Sequence, residues 1–96
     1  MADRLTGKEI KVALGKLKGW IHAKNEIHKN YNLKDFAAAL AFINRVGEKA
    51  EAADHHPDIL LHGWNNVEIT LSTHSAGGLT ENDFKLAKQI DSVVKK

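Results

Sequence analysis

A chain of 96 residues, 43% of them hydrophobic, has room for one core, so a single domain over residues 1–96 is expected. With no cysteine, disulfides, zinc-thiolate sites and thiol nucleophiles are all excluded. Fourteen basic and 12 acidic side chains give a net charge of +2 without a basic block, which argues against direct nucleic-acid binding.

Thr6 and Glu9 have the spacing of a capping box, and Ile10, Ala13, Leu14 and Leu17 then share one helical face, predicting a first helix of about three turns stopped by Gly19. Trp20 to Ala23 and Ile27 to Tyr31 read as two strands around a polar Lys24-Asn25 turn. Asn32 and Asp35 form an N-cap pattern for a long second helix, whose apolar stripe is Phe36, Ala39, Leu40, Ile43, Val46 and Ala50. That helix must end near Asp54, because Pro57 disfavours helical geometry before it and has no N–H to donate. His55, His56, Pro57 and Asp58 therefore form a loop at its foot.

Ile59 to Leu61 predicts a short strand and Gly63 to Asn66 a turn, after which Val67, Ile69 and Leu71 alternate with polar residues as a half-buried strand. His74 falls on the polar side of that strand or just past its end, followed by the Ser75-Ala76-Gly77-Gly78 loop. Thr80 to Asp83 opens a last helix with Leu86, Ala87, Ile90 and Val94 as its stripe. The order α-β-β-α-β-β-α, with connections too short for parallel crossovers outside the middle helix, predicts an α+β domain: a four-stranded antiparallel sheet with three helices on one face. The apolar run from Ala37 to Ile43 is far shorter than the roughly 20 residues a spanning helix needs, and the first ten residues lack a secretory signal's apolar stretch. A soluble, cytoplasmic protein without a membrane partner is expected.

Six histidines stand in the chain, three of them between positions 55 and 62. Imidazole has an ordinary pKa near 6.5, so it can give and take a proton within one turnover at neutral pH. Asp54 and Asp58 flank the pair, and a neighbouring carboxylate orients an imidazole and favours its charged form. A strand running back along its neighbour would return His74 to the same end of the sheet. Against this, a His-His pair in a polar loop is more often merely solvated, and His55, His56, His62 and His74 with nearby aspartates are also a conceivable ligand set for a metal. Adjacent histidines rarely both reach one ion, and the helical His-x-x-x-His pattern is absent, so no metal is expected.

The whole spacing is more specific. Glu51, three residues, His55-His56-Pro57, six residues, Trp64, nine residues, His74, eight residues and Asp83 closely resemble the signature of the pterin-4a-carbinolamine dehydratases. Gly19-Trp20, Leu33-Lys34-Asp35-Phe36, Leu71-Ser72-Thr73-His74 and Gly77-Gly78-Leu79 extend the similarity from about residue 4 to residue 94. The chain departs from the family where Ile59 occupies a frequently aromatic place and Ser75 replaces an acidic residue. The stretch between Pro57 and Trp64 also sits at the longer end of the family pattern.

The resemblance implies loss of water from a 4a-hydroxytetrahydropterin to give a quinonoid dihydropterin, the step that recycles the pterin after aromatic amino acid hydroxylation, with no cofactor. It implies that His55 and His74 are the acid-base groups and that His56 binds and orients. Pro57, Thr73, Ser75 and Ala76 would complete the slot for the pterin ring. Glu51, Asp54 and Asp83 are expected to stand behind those residues, Asp83 more as a helix cap than as a reacting group. Trp64 is expected at a rim, Trp20 and Tyr31 in the core or an interface, and His22, His28 and His62 in solvated or structural places. The resemblance further implies a homo-oligomer, a dimer or tetramer, and in some relatives a second role as dimerisation cofactor of a transcription factor. The alanine-rich second helix would suit close packing between subunits.

Overall fold

The computed structural model describes residues 3–94. Thr6 caps α1 (Gly7–Leu14) through the predicted box: its hydroxyl accepts from the Glu9 N–H at 3.2 Å, while its own N–H donates to the Glu9 carboxylate at 2.8 Å. α1 is shorter than expected, because Gly15 takes the C-cap position. The next two N–H groups, of Lys16 and Leu17, reach back only three residues, to Ala13 and Leu14. Gly19, at φ 83°, then turns the chain into β1 (Ile21–Ala23). β2 (Glu26–Asn32) follows, and Asp35 caps α2 (Phe36–Ala53) by accepting from the Ala38 N–H at 2.8 Å. β3 (Asp58–His62), β4 (Asn66–Leu71), a short 3₁₀ turn (His74–Ala76) and α3 (Glu81–Val94) complete the order α-β-β-α-β-β-α.

All pairings are antiparallel and the strand order is β1-β2-β4-β3, so β2 and β4 are central. Ile27 and Tyr31 of β2 and Val67, Ile69 and Leu71 of β4 are buried against Ile10 of α1, Ala39, Phe42, Val46 and Ala50 of α2, and Leu86, Ala87, Ile90 and Val93 of α3. The opposite face carries polar side chains: Asn30 and Asn32 both donate to Asn66, and His28 lies 3.4 Å from Glu68. The three helices therefore cover one face, as the alternation of apolar and polar residues in β4 requires.

Two predicted stripes are rotated from their expected phase. On α3, Val93 is buried and Val94 is 40% exposed, because Leu86, Ile90 and Val93 follow the i, i+4, i+7 row that meets the sheet. On α2, Phe36 and Leu40 are 48% and 43% exposed, and the buried row includes Phe42, whose ring centroid lies 4.8 Å from that of Tyr31. No helix among the described residues is long and apolar enough to cross a membrane.

Candidate active site

The two histidine-bearing segments meet at one end of the sheet through antiparallel register. Asp58, the first residue of β3, pairs with Thr70 of β4, so the loop that enters β3 lies beside the segment that leaves β4. α2 stops at Asp54, which takes the left-handed conformation (φ 53°) with its N–H on the Ala50 and Glu51 carbonyls. That reversal turns His55 and His56 off the helix axis. After β4, Thr73 forms an isolated bridge with Gly78, closing the 3₁₀ turn that carries His74, Ser75 and Ala76. Leu79 and Thr80 then return the chain to the core.

The N-terminus of α3 supplies the centre of the arrangement. Asp83 is fully buried; one carboxylate oxygen (Oδ1) lies 2.6 Å from His55 Nε2. The other (Oδ2) accepts from the Thr73 hydroxyl at 2.8 Å and the Thr80 N–H at 2.9 Å. The Thr73 and Thr80 hydroxyls are themselves 2.9 Å apart. Asp83 thus performs the capping role expected of it and also holds His55 and the residue preceding His74. A buried carboxylate needs such donors, since desolvation without them costs several kcal/mol. The first turn of a helix adds favourable backbone dipoles.

The carboxylate that orients His55 is therefore Asp83, 28 positions away, where the neighbouring Asp54 and Asp58 had been expected to do so. Asp54 acts through its backbone. His55 and His56 diverge, as adjacent loop side chains do: His55 is 11% exposed, whereas His56 is 57% exposed and faces Glu51 at 3.3 Å. A contact so open to water contributes little stability. An open hollow of about 790 Å³ lies beside it at the foot of α2, lined by Asn44, Gly47, Glu48, Ala50, Glu51, His56, Pro57 and Ile59. That hollow takes His56 and Pro57 into its wall but not His55 or His74. His74, Ser75 and Gly77 are exposed. The Thr73 hydroxyl is spent inside the network, and nothing in local spacing signalled its partnership with Asp83.

The other histidines have separate partners. His22 Nε2 lies 2.8 Å from the Lys24 carbonyl and His62 Nε2 lies 2.7 Å from Asn30 Oδ1. Trp64 is 61% exposed in the β3–β4 turn. Among the described residues, no three His, Asp or Glu side chains cluster closely enough to hold a metal ion. A second groove, about 630 Å³ between α1 and α3, is lined by Leu5, Val12, Leu17, Phe84 and several lysines, with no histidine.

An α+β sheet whose histidines stand at the ends of α2 and β4, backed by a buried carboxylate at a helix start, defines a small imidazole-carboxylate class of site. The family model for pterin 4 alpha carbinolamine dehydratase matches residues 3–93, and the chain belongs to that family. Relatives from Roseiflexus sp. (strain RS-1) and Picosynechococcus sp. (strain ATCC 27264 / PCC 7002 / PR-6), both provisionally named pterin-4-alpha-carbinolamine dehydratases, are 50% and 45% identical. The matches cover 98% and 97% of this chain and 100% of each relative. A crystal structure from Brucella melitensis, described as a transcriptional coactivator/pterin dehydratase, superposes with a TM-score of 0.88 at 36% identity, over 95% of this chain and 98% of that one. A pterin dehydratase-like RuBisCO assembly factor of the alpha-carboxysome shares the fold alone, with a TM-score of 0.62 at 23% identity over 77% of this chain and 84% of that one.

Proposed function

We propose that this chain dehydrates 4a-hydroxytetrahydropterins, with His55 and His74 moving the protons and His56 helping to hold the ring. The observation that carries the reading is the buried Asp83 carboxylate, which holds the His55 imidazole and, through the Thr73 hydroxyl, the residue that precedes His74 in the chain. In the reaction the C4a–O bond breaks as the departing oxygen takes a proton and leaves as water. The N5 lone pair forms the new C=N bond, and a ring proton passes to a base. Imidazoles suit both transfers, because their basicity lies near neutral pH. Pro57, Thr73, Ser75 and Ala76 flank the histidines as the slot, and Glu51 stands beside His56. The step calls on no cofactor or metal.

The test is stopped-flow absorbance of 4a-hydroxytetrahydropterin decay. Wild type is expected to exceed the spontaneous rate, and His55→Ala and His74→Ala to lose roughly 10²–10⁴-fold of that gain. His56→Ala is expected to act mainly on KM. A wild type that leaves spontaneous decay unchanged overturns the dehydratase reading.

A second, compatible role is as a dimerising or transcription-factor partner. It is favoured by the exposed Phe36 and Leu40 on the outer face of α2, and by the coactivator description of the Brucella relative. The same face supports assembly of a homo-oligomer. Sedimentation velocity should show a dimer or tetramer that Leu40→Glu shifts toward monomer; a monomeric wild type defeats the assembly.

A further inference from the structure

We infer that Asp83 is a positioning residue that holds neutral His55 as its Nε2–H tautomer, so that Nδ1 is the nitrogen that exchanges protons with the substrate. The substrate half of this assignment rests on the dehydratase reading; the tautomer half rests on the hydrogen-bond directions alone.

Those directions are fixed by groups that can only donate. The Asn82 N–H donates to the Thr80 hydroxyl at 3.2 Å, and the Thr80 N–H donates to Asp83 Oδ2 at 2.9 Å. Thr73 gives its proton to the same Oδ2 at 2.8 Å, so in the 2.9 Å contact between the two hydroxyls Thr80 is the donor. The carboxylate thus receives two donors on Oδ2, and Oδ1 is left for His55 Nε2 at 2.6 Å. A proton shared between a carboxylate and an imidazole resides on the more basic imidazole, so Nε2 carries the hydrogen. His55 Nδ1 makes no hydrogen bond to protein among the described residues. It is also not a buried unsatisfied atom, so it opens to solvent although the side chain as a whole is 11% exposed. Nδ1 is therefore the nitrogen that an incoming molecule meets.

The arrangement makes Asp83→Asn a directional probe. The Thr80 N–H and the Thr73 hydroxyl require an oxygen at the Oδ2 position, so the amide must turn its NH₂ toward His55. Nε2 must then accept, which moves the proton of the neutral ring onto Nδ1 and blocks that atom as an acceptor. The carboxylate is thereby distinguished from a helix cap, because asparagine preserves the cap and inverts the ring.

The experiment is long-range ¹H–¹⁵N correlation NMR on the full chain labelled at histidine, at a pH where the imidazoles are neutral, with His55 assigned by its absence in His55→Ala. Wild type is expected to show a protonated Nε2 and a bare Nδ1, and Asp83→Asn the reverse. A bare Nε2 in wild type, or an unchanged tautomer in folded Asp83→Asn, overturns the assignment. In the carbinolamine assay Asp83→Asn is expected to lower kcat roughly 100-fold or more, and full activity with an inverted tautomer overturns the role of Nδ1. A wild type that shows the expected tautomer without speeding carbinolamine decay sinks the dehydratase reading and with it the substrate half, while the tautomer half stands. Should Asp83→Asn fail to fold, the wild-type spectrum tests the tautomer. Thr73→Val against Thr73→Ser then tests positioning: about a tenfold loss of kcat at constant KM for valine, restored by serine, is expected, and full kcat in Thr73→Val overturns it.

Discussion

α3 carries two carboxylates that gather donors from remote parts of the chain, and they do different work. Asp83, in the first turn, takes an imidazole, a hydroxyl and a backbone N–H. Asp91, two turns on, takes the Trp20 indole N–H at 3.1 Å, the Lys29 ammonium at 2.9 Å and the Tyr31 hydroxyl. Lys29 also donates to the Lys18 carbonyl at 2.8 Å and stands 4.8 Å from the Tyr31 ring centre. Around Asp91 the Tyr31 hydroxyl is pushed further from ionising than an ordinary phenol. Burial is the main cause, followed by its hydrogen bond to Asp91 and the charge of that carboxylate. Around Asp83 one partner is the His55 imidazole, a ring with two nitrogens of which only Nε2 is engaged among the described residues. The same carboxylate chemistry therefore makes a clip of hydroxyl, indole and ammonium donors at one end of the helix and a seat for an imidazole at the other.

The comparison breaks most visibly at Asp91. Asp91→Ala leaves the Lys29 ammonium without its counter-charge and the Tyr31 hydroxyl without its acceptor, and about 2–3 kcal/mol of stability should be lost in urea unfolding. Carbinolamine dehydration at 25 °C should survive in the folded fraction. An Asp91→Ala protein as stable as wild type would mean the clip holds nothing.

Alkaline unfolding sharpens the contrast. Tyr31 titrates from 10.0 in an ordinary environment and is raised by folding, so the folded state holds its proton where the unfolded chain has released it. The stability it contributes is complete below about pH 10 and falls above that value by about 1.4 kcal/mol per pH unit. Tyr31→Phe should remove that part of the slope between pH 10 and 12, measured by urea midpoints at each pH. An identical alkaline slope in the variant would refute it.

The smallest effect is expected outside both clusters. Trp64 adopts φ 60° while 61% exposed, a conformation that disfavours any residue with a Cβ. Trp64→Gly relieves the strain but frees the unfolded chain, so a net gain below about 1 kcal/mol is expected from thermal melts. A clear loss would show that the indole packs usefully despite its exposure.

Much of this fold is legible in the sequence. The capping box at Thr6, the Asp35 cap, the stop before Pro57 and the alternation through Leu71 are local patterns, and each is found as read, although α1 ends at Leu14, well before the expected stop at Gly19. Helical phase is less legible: the sequence reading places Val94 on the inner stripe, and contact with the sheet buries Val93 in its stead. The histidines announced themselves by their spacing, but their carboxylates did not. The partners of His55 and Trp20 lie 28 and 71 positions away, and local chemistry favoured Asp54 and Asp58 for the former.

The order of helices and strands, the single core and the family are properties of the chain read alone, because period, caps and motif spacing act over a few residues at a time. Which carboxylate meets which donor, and which helical row faces inward, were decided when β3 and β4 paired and α3 docked. A buried charge is tolerable only where several distant donors converge, and that convergence exists only in the folded chain.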